Sequence, residues 1–170
     1  MCKSLFEFTI YNQKTIPDNW PYPIKIHTLG RFSLLINDEP INAGRKASKI
    51  LLELLKIIIA FSGKDVSSEK ITEAFWPDQD GVTALSVFNT TLHRLRKLLG
   101  KDVIKFSEGK VTLNRDVCRV DIWGFERQLN QLIANQSKTE NPTLDVLLTD
   151  LNNLFTLYQG QFLNSEEDHS

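Results

Sequence analysis

The stretch Gly81 to Gly100, GVTALSVFNTTLHRLRKLLG, constrains this chain most. Leu85, Phe88, Leu92, Leu95 and Leu99 recur at steps of three, four, three and four, which puts all five on one helical face. Ser86, Asn89, Thr90, His93, Arg94 and Lys97 occupy the other. Arg94, Arg96 and Lys97 gather in the last turns, where cations suit the negative helix end, and Gly100 is a natural stop. Such a helix must bury one side in a core. Its other side is either an ordinary solvated face or a surface that uses amide, hydroxyl, imidazole and guanidinium groups on a ligand.

Two apolar helical patterns come before it. From Lys46 to Phe61 the polar stripe Lys46, Lys49, Glu53, Lys56 and Ala60 is narrow and the rest is nearly all Ile or Leu, which predicts a central core helix ended by Ser62-Gly63-Lys64. Val66-Ser67 leads into a short helix with Ser67 as N-cap, Glu69 in its first turn and Ile71, Ala74 and Phe75 facing inward. Pro77 breaks that helix after Trp76, and Asp78 to Gly81 form a loop. After Gly100, Val103 to Phe106 and Val111 to Leu113 are short β-prone runs around Ser107-Glu108-Gly109-Lys110. Ahead of the helices, Ile24–Gly30 and Phe32–Ile36 pattern as strands. Asn37-Asp38 is a turn, and Glu39-Pro40-Ile41 is a short edge strand where Pro is tolerated. The expected class is α+β: a winged helix-turn-helix with an N-terminal antiparallel sheet and a C-terminal wing hairpin, followed by an α-helical hairpin.

Charge is distributed unevenly along the chain, although the net value is only −1. Residues 24–114 hold 14 Lys/Arg against 10 Asp/Glu, while 115–170 hold 4 against 9. That asymmetry fits a nucleic-acid-facing first domain and a partner-facing second one. Two cysteines, Cys2 and Cys118, make no disulfide framework and point to the reducing cytoplasm. Three scattered histidines give no metal-ligand spacing. Glu53 and Lys56 interrupt the longest apolar run, so no membrane span is expected. There is no Gly-rich phosphate cradle, no Cys–His or Ser–His spacing and no carboxylate pair on one face, so no catalytic residue, cofactor or enzyme activity is expected. The expected organisation is an arm or linker at 1–23 that packs back through Phe6, Phe8, Ile10 and Trp20, a domain at 24–114, a two-helix segment at 120–163 and a tail at 164–170. Ile122, Phe125, Leu129 and Leu132 mark the first of those helices. Leu144, Leu147, Leu148, Leu151, Leu154 and Phe155 mark the second, which opens at Pro142-Thr143; Asn135 to Asn141 is a solvated loop.

Five pieces in order carry a family resemblance: Leu29-Gly30, Arg45-Lys46, Phe75-Trp76-Pro77-Asp78, Leu92-His93-Arg94-Leu95-Arg96-Lys97-Leu98-Leu99-Gly100 and Val120-Asp121-Ile122-Trp123-Gly124-Phe125-Glu126. Over about residues 24–163 the chain resembles the SARP-like transcriptional regulators. In these, an OmpR-type winged-helix DNA-binding domain precedes a bacterial transcriptional activator domain; Leu157 to Leu163 resembles the Tyr-x-Gly-x-Phe/Leu step of the latter. That activator domain normally continues into further stacked helices, which need neighbours to bury their faces, so other domains of a longer parent chain are expected.

The resemblance implies a sequence-specific double-stranded DNA-binding regulator with its third helix, about 82–99, in the major groove and its wing, about 103–113, on the adjacent backbone or minor groove. Asn89, Thr90, His93 and Arg94 are the base-reading candidates, because Asn pairs with adenine, Arg with guanine and a Thr methyl with the thymine methyl. Arg45, Lys46, Trp76, Arg96, Lys97 and Lys110 are the backbone candidates. Arg96 has an alternative as an ion pair to Glu73 or Asp78, Trp76 as a cap on the core, and Arg45, Lys46 and Lys49 as solubilising charges. Lys110 stands where relatives carry a wing aromatic. Asp78, Gln79 and Asp80 form the loop that touches RNA polymerase or a neighbouring regulator in OmpR-type activators; the alternative is a plain turn. At this modest charge, function is expected to need two copies on repeats about one helical turn apart. A winged-helix protein-interaction module without direct DNA binding is the alternative function.

Overall fold

Alternating apolar runs and two amphipathic periods resolve into a mixed α+β chain. The computed structural model describes residues 22–41, 46–138 and 144–163, and among these it holds five helices and two sheets. In chain order the elements are β1 (Ile24–His27), β2 (Ser33–Ile36), β3 (Glu39–Pro40), α1 (Lys46–Ala60), β4 (Val66–Ser67), α2 (Ser68–Phe75), α3 (Gly81–Leu99), β5 (Ile104–Ser107), β6 (Lys110–Leu113), β7 (Cys118–Val120), α4 (Asp121–Lys138) and α5 (Leu144–Leu157). One sheet has the order β3-β2-β1-β7 and the other β4-β6-β5. Among the described residues no helix is long and apolar enough to cross a membrane. Residues 1–21, 42–45, 139–143 and 164–170 lie outside the described residues. With them go the expected arm up to Pro21, Arg45, the Pro142-Thr143 start of the last helix and the tail.

Contacts divide the described residues into two compact units. One comprises Tyr22–Lys25 and Leu34–Arg119; the other holds Ile26–Ser33 with the described part of Val120–Ser170. Residues 26–33, expected with the first domain, therefore group with α4 and α5.

In the larger unit, α1, α2 and α3 pack on one another around Leu54, Leu55, Ile58, Ile71, Phe88 and Leu95, all fully buried. Helix α1 ends in a Schellman turn: Gly63 N–H donates to Ile58 O at 2.9 Å and Ser62 N–H to Ile59 O at 2.8 Å, with Ser62 left-handed at φ 75°. Ser67 Oγ accepts from Lys70 N–H at 3.4 Å, the expected N-cap of α2. On α2 the buried row is Ser68, Ile71 and Thr72, whereas Ala74, expected to face inward, is exposed. Thr72 can be buried because its hydroxyl donates to Glu69 O at 2.8 Å. Among the described residues there are two two-residue hairpins, at Asn37-Asp38 (φ 50° and 67°) and Glu108-Gly109 (φ 51° and 71°), the left-handed pairs that type I′ turns need. Val66-Ser67 adds a strand, pairing Val66 with Val111. Gly109 O in turn accepts from Ser68 N–H at 2.7 Å, tying the hairpin tip to the start of α2.

The smaller unit is held by a carboxylate. Asp121 accepts Thr28 N–H on both oxygens at 2.8 Å and Leu29 N–H at 3.0 Å, so the head of α4 grips the chain after β1. Residues past α5 return to the same place: Leu29 bridges Phe162, Gly30 N–H donates to Gln161 O at 2.9 Å, and Leu163 N–H donates to Thr28 O at 2.7 Å. Gly30 has φ 98°, and a Cβ there would lie 2.9 Å from Gln159 O, so only glycine fits. Helix α4 runs on to Lys138, through the 135–138 part of the expected loop. Polar residues with adequate helix propensity extend a solvated helix as readily as they form a loop. On these two helices Trp123, Leu132 and Leu154 are buried, while Leu129, Leu148, Leu151 and Phe155 of the expected apolar rows are exposed.

Candidate nucleic-acid interface

Helix α3 owes its position to its two ends. Asp80 is the N-cap: its Oδ1 accepts from Val82 N–H at 3.1 Å and Thr83 N–H at 3.0 Å. The Thr83 side chain first, then the Thr83 and Val82 backbone N–H groups, hold its carboxyl below the ordinary 3.8 by hydrogen bonding. The last turn stops at Gly100, φ 106°, whose N–H donates to Arg96 O at 3.0 Å. Between them Ala84, Phe88, Thr91, Leu92, Leu95 and Leu99 are buried. Leu85, placed inward by spacing, is instead 41% exposed, and the buried row passes through Ala84 and Thr91. The reason is again local: Thr91 Oγ1 donates to Val87 O at 2.7 Å, so its hydroxyl needs no water.

Ser86, Asn89, Thr90, His93, Arg94 and Lys97 are all exposed. Thr90 Oγ1 donates to Ser86 O at 3.1 Å, and its methyl remains for contact. At about 100° per residue, Val82, Ser86, Asn89, His93 and Lys97 fall along one ridge, with Thr90 and Arg94 on one flank and Leu85 and Arg96 on the other. The four base-reading candidates therefore share one solvent-facing side of a single helix.

The backbone candidates are more scattered. Lys97 is exposed in the last turn of α3, and Lys110 is exposed beside the Glu108-Gly109 turn. Arg96 is half-buried, with Nη2 donating to Lys101 O at 3.5 Å and Nε buried. It turns back over the helix end, where carbonyls attract a guanidinium, and meets neither Glu73 nor Asp78. Trp76 is half-buried, lies tilted against Phe75 with ring centroids 4.3 Å apart, and caps α2 through its own N–H to Thr72 O at 2.8 Å. Lys49 is exposed on α1, Lys46 contributes the first helical residue, and Arg45 lies outside the described residues. Asp78 and Gln79 are exposed in the loop before α3, whereas the Asp80 carboxylate is engaged in the cap.

Sequence reasoning passes over two groups at this surface. Val82, 82% exposed, heads the α3 ridge and is detectable as the residue four before Ser86 and seven before Asn89. Lys105 is exposed and pairs with Thr112 two places from the Ser107–Lys110 pair, so Lys105 and Lys110 share the outer face of the hairpin; period-two alternation would have found it. Phe106, on the inner face, meets Phe88 edge-on at 5.8 Å and links hairpin to helix.

No protein-family model and no curated relative matches this sequence. Among solved structures, the chain is similar to Mycobacterium tuberculosis EmbR in complex with a low-affinity phosphopeptide. The TM-score is 0.59 and the identity 17%, over 84% of this chain and 38% of that one. The likeness is one of fold, and the chain spans well under half the length of its neighbour.

Proposed function

We propose that residues 24–114 form an OmpR-type winged helix-turn-helix and that the chain is a sequence-specific, double-stranded DNA-binding transcriptional regulator of the SARP-like kind. In this reading residues 120–163 begin a helical activator domain, and the protein works in the cytoplasm. The observation that carries it is the exposed side of α3, where Asn89, Thr90, His93 and Arg94 stand together beside Lys97 with no core role. A helix supported from behind by two others and flanked by a hairpin bearing Lys105 and Lys110 has the shape that enters a major groove. The EmbR-like fold and the five sequence pieces agree with it. Asn89, Thr90, His93 and Arg94 face the bases; Lys97, Lys105 and Lys110 meet phosphates. With so few cations one half-site is bound weakly, so two copies act on repeated sites. Asp78 and Gln79, exposed ahead of α3, contact RNA polymerase or a neighbouring regulator. Asp80 is left to its cap.

Binding of the chain to duplex DNA at several salt concentrations tests this. Arg94→Ala is expected to cost about 1–3 kcal/mol at a selected site and to relax discrimination at one base pair. Lys97→Ala is expected to weaken selected and random DNA alike and to flatten the log–log salt slope by about one. If both variants bind as the parent does at every salt concentration, this face does not touch DNA, and the protein-interaction module takes its place.

A further inference from the structure

Val82 is the most exposed large apolar side chain among the described residues, at 82%. Its backbone is fixed, since its N–H donates to the Asp80 cap at 3.1 Å, but neither burial nor helix propensity accounts for a β-branched side chain there. It lies on the ridge of Ser86, Asn89, His93 and Lys97, a sector of roughly 80° at 100° per residue, and Leu85 extends the apolar surface on one flank. The ridge thus changes character along its length: apolar at the N-terminus, amide and imidazole in the middle, cationic at the end.

Resting on the DNA-binding reading above, we propose that Val82 is a specificity residue that packs its isopropyl group on the C5-methyl of a thymine in the major groove. The N-terminal residues of a groove-bound helix are those that approach base edges. On those edges the thymine methyl is the apolar group, and small apolar side chains meet it. A phosphate would not be served by valine. Along the helix, Val82 and Asn89 are about 10.5 Å apart at 1.5 Å per residue, close to three base-pair steps of 3.4 Å. For a helix lying along the groove, the recognised thymine is therefore about three base pairs from the pair read by Asn89.

The test uses the full 170-residue chain. Sites are selected from random duplex DNA, and each thymine of the enriched site is then replaced singly by deoxyuridine, which removes the methyl and leaves the pairing edge intact. Replacement of the thymine about three base pairs from the pair read by Asn89 is expected to weaken binding about fourfold, the factor one buried methyl carries. Val82→Ala, helical by circular dichroism, is expected to bind the thymine and uracil forms of that site within a factor of about 1.5 of each other. An enriched site that uracil weakens nowhere overturns the proposal and leaves DNA binding standing. So does a Val82→Ala variant that keeps the parent's uracil sensitivity. If no site is enriched and no duplex is bound, the DNA-binding reading fails and this inference with it.

Discussion

Asp121→Ala removes the group that joins the head of α4 to the chain after β1, and its cost can be worked from the bonds it makes. The carboxylate, 11% exposed, accepts Thr28 N–H at 2.8 Å on each oxygen, Leu29 N–H at 3.0 Å, the Thr28 hydroxyl at 2.5 Å and Ile122 N–H at 2.8 Å. Thr28 has no exposed surface and Leu29 only 4%. Truncation leaves three peptide donors and a hydroxyl without their acceptor, each at about 1–3 kcal/mol, and water entering the vacated space offsets part, for a loss of about 3–5 kcal/mol. Asp121→Asn keeps one acceptor but turns an amide NH₂ towards a second donor, for about 1–3 kcal/mol. Thr28→Val removes the hydroxyl alone, at about 0.5–1.5 kcal/mol. Urea unfolding followed by circular dichroism reads the series. With a slope of about 2 kcal/mol per molar, the Ala variant should lose about 1.5–2.5 M in midpoint, and the order should be Ala, Asn, Val. A midpoint change under about 0.3 M for Asp121→Ala, with the slope unaltered, would refute the reasoning.

Two further outcomes follow from titratable groups. Asp80→Ala should fray the first turn of α3 and lower the melting temperature. Because the folded-state pKa of Asp80 lies below the ordinary 3.8, the cap is at full strength above that value and is lost as pH falls through the folded one. The parent should therefore lose more stability than the variant on acidification below about pH 3.8, and parallel profiles there would count against the cap. Cys118 is buried, which pushes its thiol up from 9.0 to about 12. Mass spectrometry should find it unalkylated at pH 8 in the native protein and alkylated in urea. As pH rises past 9.0 the unfolded chain ionises first, so this thiol's contribution turns against the fold on the alkaline side. Ready labelling of the native protein would mean that β7 opens at little cost.

Local features of the sequence carry the local structure. The exposed row of α3 follows from period alone, the Asn37-Asp38 and Glu108-Gly109 turns from residues that accept left-handed backbone, and the Ser67 cap from a hydroxyl ahead of an apolar run. What escaped depends on partners far along the chain. Strands β4 and β7, of two and three residues, carry no pattern of their own, and Val66 becomes a strand residue because Val111 lies beside it. Asp121 stands out in sequence only as part of a motif, and its role appears when Thr28 and Leu29 arrive beneath it. Leu85, expected inside, stands outside and Thr91 takes a place in the buried row, because hydropathy ranks a threonine as polar whereas its bond to Val87 O makes it fit to bury.

That exchange bears on function as well as packing. Had Leu85 been inside, Val82 would be the one large apolar side chain on the exposed side of α3. With Leu85 and Val82 outside, the face combines apolar, amide and cationic groups in sequence along one ridge. Exposed apolar surface is a cost to a free monomer unless something covers it. A phosphate lattice alone would select more cations than Lys97 and Arg94, since each neutralised phosphate adds to affinity. A surface poor in charge and rich in varied short side chains instead gains by discriminating between base edges, where amides, methyls and guanidinium groups each have a partner. On this reading α3 supplies specificity while Lys105 and Lys110 of the hairpin supply grip. Affinity then rises by pairing two such weak, selective contacts on one DNA, at an effective concentration set by their spacing.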